Sequence, residues 1–167
     1  HLEVLKLEGT AIFIFDEITS GFHDNLGGKH LNLGINPDVA IFSKAIANGY
    51  PIAAIIGKKN VMDIAQDTFL SSTMWTERIG FVAALATIKK MEKQHVQKIL
   101  VKYGKKIKKE LIKISKNNNV NIVISGLDSI PRFDFAYKNK LEISTFFTQE
   151  MLNHGFLAQQ ANTMTYS

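Results

Sequence analysis

The run Thr10-Ala11-Ile12-Phe13-Ile14-Phe15 is apolar from Ala11 onward without interruption and stops on the charged pair Asp16-Glu17. A short continuous apolar run of this kind reads as a strand buried on both faces, whose carboxyl end meets polar chemistry. A polar, glycine-rich crossover from Thr19 to Pro37 leads to a second such run, Val39-Ala40-Ile41-Phe42, which delivers Ser43 and Lys44 just past its end. If the two strands are parallel, Asp16 and Lys44 emerge on the same edge of the sheet, where open α/β sheets bind their ligands. Ala47-Asn48-Gly49-Tyr50-Pro51 is dense in turn residues, and the third apolar run behind it, Ile52 to Gly57, is close enough to return antiparallel. A mixed, mainly parallel sheet is expected.

From Thr76 the pattern turns helical. Thr73 or Thr76 fits as N-cap, and Ile79, Val82, Ala83, Leu85, Ala86 and Ile88 form an apolar stripe. A second helical segment runs to about Lys116 and is ended by Asn117-Asn118-Asn119, whose side chains compete for the helix backbone. Beyond it lie a strand from Asn121 to Ser125, a turn at Gly126, and an alternating strand with Phe133, Phe135 and Tyr137 on one face. A further helix opens at Asn139, with Glu142 placed for a capping box, and stops at Gly155. The expected fold class is α/β. Residues 1–105 are assigned to part of a large α/β domain, and residues 106–167 to the start of a small α+β domain.

With 167 residues and 46% apolar content, the chain can bury a core, and with no cysteine it has neither disulfides nor thiolate metal sites, which fits a reducing, cytoplasmic setting. Its apolar runs are far shorter than the roughly 20 residues a bilayer span needs, so no membrane partner is expected. The start, His1-Leu2-Glu3, reads as a cut from something longer. Through Gly80 the chain holds six basic against nine acidic residues, so the net charge of +5 arises beyond it, mostly in the lysine series Lys89 to Lys116. Val96, Ile99, Leu100, Tyr103, Ile107, Leu111 and Ile114 recur inside that series at three- and four-residue steps, which puts the lysines on the solvated face of an amphipathic helix and argues against a nucleic-acid patch.

Lys44 and Asp16 are the candidates for chemistry. A lysine is ordinarily a solvated cation, but this one stands between Val39-Ala40-Ile41-Phe42 and Ala45-Ile46-Ala47, where apolar walls would free its amine as a nucleophile. For Asp16, an apolar strand followed by Asp-Glu suits a Walker B carboxylate on Mg²⁺, a carboxylate at a pyridinium N–H, or a plain cap after a strand. The Walker reading needs G-x-x-x-x-G-K-[ST], and Gly27-Gly28-Lys29-His30 lacks the first glycine and the final hydroxyl. His23, Asp24 and His30 sit in a loop without ligand spacing, so no metal is expected.

Four ordered blocks carry a resemblance. Phe15-Asp16-Glu17-Ile18-Thr19-Ser20-Gly21-Phe22, then Asn36-Pro37-Asp38, then Ser43 through Gly57, and finally Ser72-Thr73-Met74-Trp75-Thr76-Glu77-Arg78-Ile79-Gly80 resemble the class III pyridoxal-phosphate aminotransferases, within them the glutamate-1-semialdehyde aminomutase branch. The resemblance implies part of the large domain of the aspartate aminotransferase fold (fold type I), followed by the start of the small C-terminal domain. It implies pyridoxal 5'-phosphate as cofactor, a small amino or carbonyl compound as substrate, transfer of an amino group through a lysine Schiff base, and a homodimer with a shared active site. Residue by residue, Lys44 matches the lysine that carries the cofactor and moves the substrate proton, and Asp16 the carboxylate at the pyridine nitrogen. Ile18 matches a hydrophobic residue on one ring face, and Thr73 a threonine that reaches the phosphate of the neighbouring subunit's cofactor. The chain departs from the family where Ala47-Asn48-Gly49 replaces a glycine-rich turn and where Ser72 replaces a glycine. The family's main phosphate loop and ring-stacking aromatic belong to an N-terminal half not found in these residues. An inactive packing or dimerisation piece is the alternative reading, and a nucleotide-binding module the lesser one.

Overall fold

The computed structural model describes residues 11–71, 73, 74, 77–158 and the backbone of 164 and 165. They belong to two compact units, His1–Gln94 and His95–Ser167. The division falls at His95, a left-handed residue (φ 50°) between two helices, ahead of the expected boundary at 105.

In the first unit, β1 (Ile14–Asp16) runs parallel to β2 (Val39–Phe42), with Asp16 opposite Ile41, and β3 (Ala54–Gly57) returns antiparallel on the other side of β2. The crossover holds a single helical turn, α1 (Lys29–Asn32), and another, α2 (Lys59–Met62), follows β3. The mixed three-stranded sheet matches expectation, but the burial of β1 does not. Ile12 and Ile14 are more than half exposed, because β1 is an edge strand among the described residues and only β2 pairs with it. β2, paired on both sides, is where burial is deepest: Val39, Ala40 and Phe42 join Phe22, Ile46, Ala47 and the helical Ala84 in the core, and only Ile41 stays half-buried.

Helix α3 (Ile79–Gln94) supplies that Ala84. Gly80 lets it approach the connection ahead of β3, since a Cβ there would stand 3.2 Å from the side chains of both Ile52 and Tyr50. Its N-terminus is capped by Glu77, whose two carboxylate oxygens accept the N–H groups of Ile79 (2.6 Å) and Gly80 (3.0 Å), while the Tyr50 hydroxyl donates to one of them. The cap is therefore Glu77, where a threonine was expected. Thr73 lies in the turn before it, and Ser72 and Thr76 fall outside the described residues.

In the second unit, α4 (Val96–Asn117) precedes the hairpin of β4 (Ile122–Ser125) and β5 (Arg132–Phe135), then α5 (Lys140–Asn153) and β6 (Met164–Thr165), which pairs with β5. Phe133, Phe135 and Phe147 form an edge-on aromatic cluster with centroids 5.6–5.8 Å apart, backed by Leu111, Ile122 and Ile124. Each such ring pair adds about 0.5–1.5 kcal/mol beyond area burial. Gly104 admits no side chain, because a Cβ would fall 1.5 Å from the Asp128 carbonyl oxygen. Lys108 reaches from α4 to the Asp128 carboxylate (2.9 Å) and the Gly126 carbonyl (2.8 Å). The α4 stripe is only partly covered: Ile99, Tyr103 and Ile114 stay exposed among the described residues. The capping box at α5 does not form. Asn139 has ψ 36° and makes no side-chain cap bond, because a cap needs the extended backbone that aims its side chain at the N–H groups of the first turn. Among the described residues no helix is long and apolar enough to cross a membrane.

Candidate active site

The parallel register places Asp16 and Lys44 on one edge of the sheet. Asp16 ends β1 opposite Ile41, and Lys44 begins a 3-10 turn two residues after β2 closes. Adjacent strands stand about 4.8 Å apart, so a carboxylate and an amine on neighbouring strand ends can address one small molecule. Lys44 has φ 49°, an uncommon conformation for a side-chain-bearing residue, and sparsely populated backbone of this kind costs on the order of 1–3 kcal/mol. Its carbonyl accepts the Asn48 N–H (3.1 Å), which closes the turn, and its ammonium donates to the Thr19 hydroxyl (2.7 Å).

The expected apolar walls do not enclose Lys44. Ile46 and Ala47 are buried, but the tight turn sends the lysine side chain the other way and leaves the residue exposed. Asp16 is also exposed, and one carboxylate oxygen accepts the Ile18 N–H (2.9 Å), while the other has no partner among the described residues and can take a ligand N–H. Ile18 is half-buried and Thr73 exposed. Among the described residues, Asp16, Ile18, Thr19 and Lys44 thus gather at the sheet edge, whereas Thr73 lies in the turn ahead of α3.

A second pair escaped the sequence reading. Glu17, one residue past Asp16, is wholly buried, and its carboxylate accepts the Ser20 hydroxyl, the His30 backbone N–H (2.8 Å) and the His30 ring Nδ1 (2.9 Å). Burial pushes the Glu17 carboxyl up, but the hydrogen bonds from Ser20, His30 and Lys29 outweigh it and hold the group below its ordinary value. The available signal was alternation: Glu17 falls on the strand face of the half-buried Phe15 two positions earlier, so it turns inward while Asp16 between them turns out. His30 is committed to Glu17 and Asp24 is paired with Lys29 (2.6 Å), and among the described residues no three His, Asp or Glu side chains form a cation site. The Nδ1 of His23 is buried with no partner among the described residues. Burial depresses its imidazole first, Asp24 opposes that, and the Lys44 charge adds to it.

Acid should therefore weaken the fold. A depressed carboxyl contributes stability above its unfolded value that is lost as pH falls through its folded value, and a depressed imidazole also loses stability on acidification, because the unfolded chain takes up the proton first. His23 acts below about pH 6.5, and Glu17 and Glu77 below about pH 4.5. The Gly80 N–H holds Glu77 down chiefly. Thermal unfolding scanned from about pH 8 to about pH 3 should show the midpoint falling in these two ranges, and a flat midpoint would contradict the assignment.

The profile described as Aminotransferase class-III matches residues 3–166. The chain belongs to this family. Among relatives of this class-III chain, the 3-aminobutyryl-CoA aminotransferase of Cloacimonas acidaminovorans is 34% identical over 155 residues, covering 89% of the chain and 37% of the relative. The glutamate-1-semialdehyde 2,1-aminomutase of Caldicellulosiruptor bescii is 30% identical over 167 residues, covering 91% and 39%. The chain thus spans well under half the length of these curated relatives. Among solved structures, the pyridoxal-phosphate internal aldimine form of the FumI protein of Sphingopyxis sp. MTA144 superposes with a TM-score of 0.85 at 25% identity, over 92% of this chain and 37% of that one. An omega-transaminase from Sphaerobacter thermophilus gives 0.82 at 19% identity, over 93% and 39%, and supports the fold alone. The class-III chain has the fold of the corresponding part of these fold-type-I transaminases, as its sequence blocks implied.

Proposed function

We propose that this chain supplies the lysine-bearing part of a pyridoxal-phosphate site in an amino-group-transferring enzyme of its relatives' length. The observation that carries the reading is the placement of Asp16 and Lys44 on adjacent parallel strand ends within a class-III chain. The residues fit the cofactor: an exposed carboxylate with one oxygen unpartnered among the described residues suits a ring N–H, and an exposed primary amine suits a carbonyl. When bound, pyridoxal phosphate supplies an electron sink for the substrate carbanion.

Lys44 holds the cofactor covalently and moves the proton at the substrate Cα. Asp16 keeps the ring nitrogen protonated, and Ile18 packs against one ring face. Thr73, exposed in the turn before α3, serves the phosphate held by a partner subunit. A homodimer is supported by the apolar face that α3 leaves open at Phe81, Val82 and Leu85. The first unit falls to the large domain and the second, which holds all of α4 and so opens before the expected 105/106 boundary, to the start of the small one, in a cytoplasmic enzyme acting on a small amino or carbonyl compound. The named relatives include both an aminotransferase and an aminomutase, so amino-group transfer is the common denominator.

Borohydride reduction of the cofactor-loaded, full-length enzyme followed by peptide mass mapping should find the cofactor on Lys44. Attachment confined to the exposed lysines between Lys89 and Lys116, or none at all, would overturn the reading.

A further inference from the structure

A buried carboxylate one residue from Asp16 asks for a role. An apolar residue would hold the crossover against the sheet more cheaply than a charge that must be stripped of water and re-partnered. Glu17 is nonetheless fully buried, and the partners of its carboxylate among the described residues, Ser20, Lys29 and His30, belong to the crossover. The His30 ring centroid stands 5.7 Å from that of Phe15 and 6.4 Å from that of Phe42, one residue on each of the two strands that lead to the site. Nδ1 must carry the hydrogen, because an ionised carboxylate only accepts.

Two glycines make the closure possible. A Cβ on Gly28 would stand 2.3 Å from the His30 Nδ1 and 2.6 Å from a Glu17 oxygen, and one on Gly21 would stand 2.7 Å from the Glu17 carbonyl and 2.8 Å from Phe42. The Glu17 N–H donates to the Ile41 carbonyl (2.8 Å), so residue 17 is fixed through its backbone to β2 and through its side chain to the crossover. The peptide that joins it to Asp16 has little freedom left.

We propose that Glu17 and His30 are a positioning pair that fixes the direction of the Asp16 carboxylate relative to Lys44. The role rests on the function proposed above. Neither side chain touches the substrate; they act through Asp16. A carboxylate that matters in the chemical steps, and not in substrate capture, should report its misplacement in kcat and leave KM alone. Displacements near 1 Å can cost about 100-fold.

The test uses the full-length holoenzyme and the variants Glu17→Gln, His30→Ala and His30→Asn. The Asn amide can place a donor near the lost Nδ1, and every variant keeps the backbone N–H of residue 30. Glu17→Gln and His30→Ala should still bind pyridoxal phosphate, lower kcat by about 10- to 100-fold with KM within about twofold, and alter the visible circular dichroism of the bound cofactor. His30→Asn should restore most of both signals. Parental kcat and dichroism in His30→Ala, even with a lowered melting temperature, would make the pair merely structural and overturn the proposal; if Glu17→Gln fails to fold, the two His30 variants decide. A parent enzyme that binds no cofactor would instead defeat the functional reading on which the pair depends.

Discussion

Lys44→Ala in the full-length enzyme should abolish amino-group transfer and the near-ultraviolet to visible absorption of lysine-bound cofactor. Proton transfer by a positioned side chain is worth about 10²- to 10⁴-fold, and losing the covalent anchor as well puts the expected loss at 10⁴-fold or more, about 5.4 kcal/mol. The side chain is exposed and its bond to the Thr19 hydroxyl is a single one, so removal should leave the melting temperature close to that of the parent. An unfolded Lys44→Ala protein would point to a structural lysine. Retention of the absorption band and of turnover would assign the anchor elsewhere.

Asp16→Ala should leave cofactor attached but slow turnover by about 10³-fold, about 4 kcal/mol, in line with losing the preorganised charge that keeps the ring nitrogen protonated and the ring an effective electron sink. Asp16→Glu should retain more activity than Asp16→Ala, because it keeps the charge at the cost of reach. The Ile18 N–H bonded to the carboxylate is exposed, so the substitution strands no buried donor. A near-parental rate in Asp16→Ala would mean that the carboxylate only shapes the turn after β1.

The two predictions draw on residues that were legible for a simple reason. An apolar run that ends abruptly on a charge marks a strand end, and two such runs joined by a crossover place their charged ends on one edge whenever the strands are parallel. Asp16 and Lys44 needed only that topology, which the register of β1 on β2 bears out. The antiparallel return of β3 and the hairpin of β4 and β5 were equally readable, because turn residues at Gly49 and Gly126 interrupt apolar patterns of strand length.

Environments were not legible in the same way. The walls expected around Lys44 came from its sequence neighbours, but a 3-10 turn rotates successive side chains apart, so Ile46 enters the core while Lys44 leaves it. Likewise β1 has the composition of an interior strand and the exposure of an edge strand, since burial depends on what lies alongside it and not on its own residues.

What the sequence by itself determined is the succession of strands and helices, the turn that returns β3 and the two charged residues at or past the ends of the first two strands, all properties carried by local pattern. The parallel run of β1 and β2 was a condition that only their register met. Only the tertiary structure decided that Glu17 turns inward onto His30, that Thr19 receives Lys44, and that Glu77 caps α3. The reason is physical: Glu17 and His30 are thirteen positions apart, Thr19 and Lys44 twenty-five, and such hydrogen bonds exist only once the crossover has folded back and two glycines have made room for it.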